Sequence, residues 1–76
     1  MQITIRLYGP LEKYASELGL YQKEVMSDLT LAQLGEQIGV PYSSVGFIVV
    51  NRVKRDLDYR LEDNDEVKFF PFIAGG

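Results

Sequence analysis

Thr30-Leu31-Ala32-Gln33-Leu34-Gly35-Glu36-Gln37-Ile38-Gly39 is the stretch around which the rest of the chain has to be arranged. Thr30 and Gln33 stand at capping-box spacing, where the hydroxyl accepts from the third helical amide and the Gln side chain reaches back to the cap residue's own amide. Leu29 and Leu34 occupy the two positions of a hydrophobic staple. Leu31, Leu34 and Ile38 recur on one helical face, and Gly39-Val40-Pro41 supplies the stop. A helix with a single apolar stripe buries it against another layer, and the flanking sequence offers strands.

Upstream, Gln2 to Tyr8 alternates, with Ile3, Ile5 and Leu7 on one face and Gln2, Thr4, Arg6 and Tyr8 on the other. Period two with β-branched residues predicts a half-buried strand. Leu20 to Met26 alternates less cleanly, and Lys23 within it predicts an edge strand. Between them, Pro10 can open a helix. Leu11, Tyr14, Ala15 and Leu18 fall at i, i+3, i+4 and i+7, and Gly19 suits the position after a helix end, so Pro10 to Leu18 is predicted as a short amphipathic helix.

Downstream, Phe47-Ile48-Val49-Val50 is an apolar run expected of a strand buried on both faces or paired centrally. Asn51 to Tyr59 reads as a charged, turn-rich excursion with one short strand. Glu62-Asp63-Asn64-Asp65 reads as a solvated turn with Asn64 left-handed. Glu66 to Pro71 alternates Val67 and Phe69 against Lys68 and Phe70, a last strand. The order predicts an α+β roll of the β-grasp type: a mixed four- or five-stranded sheet on one main helix, plus a short helix. Residues 1–72 form the expected domain and residues 73–76 a tail.

Composition removes much chemistry. Among 76 residues there is no Cys and no His, which excludes disulfides, thiol nucleophiles, Cys/His metal sites and imidazole acid–base catalysis. Eight basic residues against eleven acidic give a net charge of −3, the wrong sign for a nucleic-acid surface. No apolar run approaches bilayer length and no signal-peptide pattern opens the chain, so a cytoplasmic protein without membrane contact is expected.

Asp56/Asp58 and Asp63/Asp65 have calcium-loop spacing, but such a loop needs Gly at its sixth position and Glu at its twelfth. Counting from Asp63 those positions hold Lys68 and Ala74, and from Asp56 Leu61 and Val67, so no metal site is expected. The serines have no histidine to activate them, and no phosphate-cradling glycine motif is present. The protein is expected not to be an enzyme.

Two features remain. Gly75-Gly76 ends the chain in a strip without side chains, able to thread a channel too narrow for other residues and tipped by an ionised carboxylate. A carboxylate is a poor electrophile, so its chemical use requires activation as an acyl adenylate or similar ester; the plain reading is a frayed terminus. Phe69-Phe70-Pro71-Phe72 puts Phe70 and Phe72 on the face opposite Val67 and Phe69. They are either scattered surface hydrophobics or a protein-docking patch beside the tail.

Leu7-Tyr8-Gly9-Pro10-Leu11-Glu12-Lys13-Tyr14, Val50-Asn51, Leu61-x-Asp63-x-Asp65-Glu66-Val67, Phe69-Phe70-Pro71 and the terminal Gly75-Gly76 together resemble the ubiquitin-like sulfur carriers. The resemblance spans the chain and is nearest to the small subunit of molybdopterin synthase, with the thiamine-pathway carrier a near relative. It implies a β-grasp fold. It further implies that Gly76 is adenylated by a ubiquitin-activating-like adenylyltransferase, which uses ATP and magnesium while the carrier binds no cofactor of its own. Sulfur then replaces AMP to leave a C-terminal thiocarboxylate. Ile73, Ala74 and Gly75 would thread into the partner, and Phe70, Pro71 and Phe72 would dock on it. The acceptor implied is the molybdopterin synthase large subunit, or a thiazole synthase. Phe72 stands where the molybdopterin branch commonly has a second proline, and Ile73-Ala74-Gly75-Gly76 resembles thiamine-branch endings. The Pro10 to Leu18 insert favours the molybdopterin branch. A ubiquitin-like protein modifier is the remaining reading.

Overall fold

The computed structural model describes residues 1–15 and 19–73. Alternation makes β1 (Gln2–Leu7), with Ile3, Ile5 and Leu7 buried beneath it. β2 (Leu20–Glu24) pairs antiparallel with β1 and forms one sheet edge, as its charges require. After α1 (Leu31–Ile38) come β3 (Val45–Val50), β4 (Val53–Arg55) and β5 (Glu66–Pro71). The strand order is β2-β1-β5-β3-β4, with β5 parallel to β1 and antiparallel to β3. The sheet is therefore mixed and five-stranded, with the C-terminal strand at its centre.

Each end of α1 is closed by the residues that predict it. Thr30 Oγ1 accepts from Gln33 N at 3.2 Å, while Gln33 Oε1 accepts from Thr30 N at 2.9 Å. The two remaining orphan amides, Leu31 N and Ala32 N, donate to Tyr59 O and Leu57 O, so the helix start is stitched to the loop after β4. At the far end Gly39 turns left-handed (φ +80°), and Val40 N and Gly39 N bond Gly35 O and Glu36 O. That pair of bonds is a Schellman motif, with Val40 buried behind it. Leu31 and Leu34, both fully buried, belong to one core cluster with the inward side chains Ile3, Ile5, Val67 and Phe69.

Two expectations, the segment after β1 and Asp65, are corrected, and the alternatives left open for β3 are decided in favour of central pairing. The segment after β1 is a 3₁₀ helix, Gly9–Tyr14, rather than an amphipathic α-helix over Pro10 to Leu18; Leu18 lies outside the described residues. Its bonds are i→i+3, Leu11 N to Tyr8 O and Ala15 N to Glu12 O, and Leu11 is its buried anchor. Gly19 (φ +69°) does not cap it. Gly19 O accepts from Leu7 N at 2.6 Å, and a Cβ at Gly19 would run into the Leu7 carbonyl oxygen, so glycine is needed there for close approach.

β3 is paired on both sides yet buried on one face only. Ile48 and Val50 point into the core, while Phe47 is 41 % exposed.

Asp65 is buried rather than solvated, at 3 % exposure. Its carboxylate accepts from Asn51 Nδ2 (2.7 Å), Glu62 N (2.8 Å) and Tyr59 OH (3.2 Å). Asn51 Oδ1 in turn accepts from Glu66 N. The two-residue β3–β4 hairpin, the Tyr59 loop and the start of β5 thus meet at one carboxylate. Among the described residues no helix is long and apolar enough to cross a membrane.

Candidate functional site

β5 carries its site because strand alternation commits Val67 and Phe69 to the core and leaves Lys68 and Phe70 on the open face. Phe70 pairs with Phe47 across β3, and its β1-side neighbour is Tyr8, just past the Leu7–Phe69 pair. The three rings lie nearly parallel. Tyr8 and Phe70 have centroids 4.5 Å apart at 5°, and Phe47 and Phe70 4.6 Å apart at 11°. Both ends of the stack carry a cation. The Arg6 guanidinium lies 5.0 Å from the Tyr8 centroid and Lys54 Nζ lies 5.6 Å from that of Phe47. Phe70 is half-buried by its neighbours, so the stack is a fixed plate rather than a loose side chain.

The chain leaves the sheet directly beside this plate. Val45 pairs with Pro71 and Phe47 with Phe70, so Gly46 is an extra residue in β3, a bulge. A Cβ on Gly46 would stand 2.7 Å from the Pro71 carbonyl oxygen and 3.3 Å from Phe72 Cα. Bare backbone at Gly46 therefore lets β5 run its last step close to β3, and Phe72 N continues the pairing by donating to Ser44 O at 2.9 Å. Beyond that bond Phe72 is 62 % and Ile73 75 % exposed. Phe72 borders a shallow groove with Pro10, Lys13, Tyr14 and Ser43, while Phe70 belongs to the stack. Ala74, Gly75 and Gly76 lie outside the described residues.

Tyr8 and Phe47 were not singled out from sequence, nor were the flanking cations. Tyr8 was legible as an outward residue of β1, and Phe47 was hidden in an apolar run. Asp63 and Asp65 have structural work. Asp63 Oδ1 accepts from Gln2 N at 2.8 Å and Asp65 sits in its own network; among the described residues no three metal-ligating side chains cluster. The Tyr59 phenol, pushed up by burial and then by the Asp65 charge, belongs to that network and lies away from the plate.

A central last strand that bears an aromatic stack and runs out into an exposed segment, on a mixed sheet wrapped round one helix, defines a ubiquitin-like β-grasp protein. Residues 5–76 match the model of the ThiS family, and the chain belongs to that family of ubiquitin-like sulfur carriers and modifiers. No curated protein matches it in sequence. Solved structures share the fold at low identity. A chain from the complex of subunits 1 and 2 of molybdopterin-converting factor from Helicobacter pylori aligns at 22 % identity over 100 % of this chain and 100 % of its own, with a TM-score of 0.66. Small archaeal modifier protein 1 from Haloferax volcanii aligns at 16 % over 95 % of this chain and 98 % of its own, with a TM-score of 0.76. Urm1 from Trypanosoma brucei aligns at 18 % over 99 % and 95 %, with a TM-score of 0.73.

Proposed function

We propose that this protein is a cytoplasmic, non-catalytic sulfur carrier that works at Gly76 and serves molybdopterin synthesis as the small subunit of the synthase. The carboxylate of Gly76 attacks the α-phosphorus of magnesium-bound ATP on a ubiquitin-activating-like adenylyltransferase. Pyrophosphate leaves and an acyl adenylate remains. A sulfide nucleophile adds to the activated carbonyl, AMP departs, and the terminus becomes a thiocarboxylate. Its sulfur is a better nucleophile than a carboxylate oxygen, which suits it to transfer into a pterin precursor held by the large subunit. Phe70 and the stack around it dock the carrier, Pro71 and Phe72 flank the exit, and Ile73, Ala74, Gly75 and Gly76 thread the partner's channel.

The observation that carries this reading is the continuity of the aromatic plate with the segment that leaves the sheet: Phe70, the middle ring of the stack, lies on β5, and the exposed Phe72 and Ile73 follow it two and three residues on. Membership of the ThiS family supports the carrier chemistry, and the likeness to a molybdopterin-converting factor subunit supports the choice of pathway. The likeness to small archaeal modifier protein 1 favours one second reading, a modifier that forms isopeptide bonds. Intact mass separates the two. Incubation with the adenylyltransferase, ATP, magnesium and sulfide should add about 16 Da, the difference between oxygen and sulfur. A modifier would instead appear joined to protein lysines.

A further inference from the structure

The open face of the sheet sorts its charges along the strand axis. Pairing sets Arg6 beside Lys68, Lys68 beside Val49, and Val49 beside Lys54. This is a transverse row of three cations over four strands, in a chain whose net charge is −3. The adjoining row, toward the chain exit, is the aromatic stack. The rows on the other side hold Thr4 beside Glu66 and Gln2 beside Glu24, and Glu66 Oε1 lies 3.5 Å from Lys68 Nζ, so the middle cation of the row already has a counter-charge on the carrier itself. Arg6 and Lys54 are exposed, and each is held over an end ring of the stack.

A partner that covers the three rings must also cover the cations lying on them. A cation desolvated without a counter-charge is costly, so a purely apolar partner surface would be opposed by Arg6 and Lys54. We propose that the surface received by this face is an apolar recess of the activating enzyme, flanked by carboxylates on both sides: one set for Arg6, another for Lys54. This rests on the sulfur-carrier reading and adds the chemistry of the partner.

The test is steady-state adenylation, read as pyrophosphate release. It uses the full chain, magnesium-ATP and the purified adenylyltransferase encoded in the same genome, with carrier concentration varied at about 0.03 M and about 0.3 M salt. For the wild type, KM should rise about tenfold between the two salts while kcat holds. Arg6→Glu and Lys54→Glu should each raise KM by about tenfold or more at low salt and flatten its salt dependence. Arg6→Gln and Lys54→Gln should do so less, and these milder variants together with the wild-type salt slope decide the matter if a charge reversal fails to fold. A wild-type KM indifferent to salt, or charge reversals that leave KM unchanged, would overturn the acidic recess while the carrier reading stands. A wild-type chain that releases no pyrophosphate at either salt overturns the carrier reading itself, and the recess with it.

Discussion

Phe70 and Phe47 are direct cross-strand partners whose rings stack at 4.6 Å, on strands joined by a loop and a hairpin rather than by sequence proximity. Their neighbour Phe69 points the other way and is 1 % exposed. Phe70→Asp should therefore keep the fold, with its side chain at the open face, and raise the KM for activation by about tenfold or more. Phe69→Asp should unfold the domain, because it buries an unpaired charge. Circular dichroism and adenylation kinetics on the pair read both effects. The opposite assignment would mean a last strand slipped by one residue.

What sequence reveals here is what is local. The Thr30/Gln33 box, the Gly39 stop and the β5 alternation each depend on residues within a turn or a strand of one another, and each is found where it is predicted. The helix after β1 misleads because Leu11, Tyr14 and Ala15 fit a 3.6-residue period. Tight 3₁₀ bonds and the return of the chain to Leu7 through Gly19 decide the geometry instead. The partners of Phe70 were illegible for a related reason. Tyr8 and Phe47 reach it only through strand order and register, which are set by the whole sheet.

Asp65 supplies the acceptor for three donors, one in the β3–β4 hairpin and two in the loop between β4 and β5. Asp65→Ala leaves these part-buried hydrogen bonds unmade, and a donor that stays stranded costs about 1–3 kcal/mol, less where water reaches the exposed Asn51 and Glu62. A net loss of about 2–4 kcal/mol is expected, enough to lower Tm by about 10 °C or more in a domain of this size. Differential scanning calorimetry measures it. A shift of a degree or two would show the network to be dispensable.

Asn51 and Arg52 form the β3–β4 hairpin turn with φ of +49° and +73°. Two positive φ values in a two-residue hairpin are those of a type I′ turn, which accepts Asn first and favours Gly second. Arg52 holds the glycine position with a Cβ, a strain of about 1–2 kcal/mol offset in part by the freedom glycine adds to the unfolded chain. Arg52→Gly should raise stability by about 0.5–1 kcal/mol. Urea unfolding decides it, with a lowered midpoint as the contrary result.

Tyr59 has its pKa raised by burial first and by the Asp65 charge second. The neutral phenol is favoured in the folded state, so its contribution is fully present below the unfolded value of about 10. It is lost as pH rises through the raised folded value. Wild type should therefore lose more stability than Tyr59→Phe between about pH 9 and about pH 11, in urea titrations compared at each pH. Equal losses would contradict the shift.

The central claim is that Gly76 is the point of attachment, and its deletion is the most direct test. Removing one residue withdraws the carboxylate by up to ~3.6 Å. Attack on the α-phosphorus needs the reacting atoms within about 3–3.5 Å, so the shortened chain falls out of range. With the adenylyltransferase, magnesium-ATP and sulfide, the wild type should gain about 16 Da by intact mass. The chain lacking Gly76 should gain nothing, with an unchanged melting curve. Thiocarboxylate formation on the shortened chain at the wild-type rate would contradict the account.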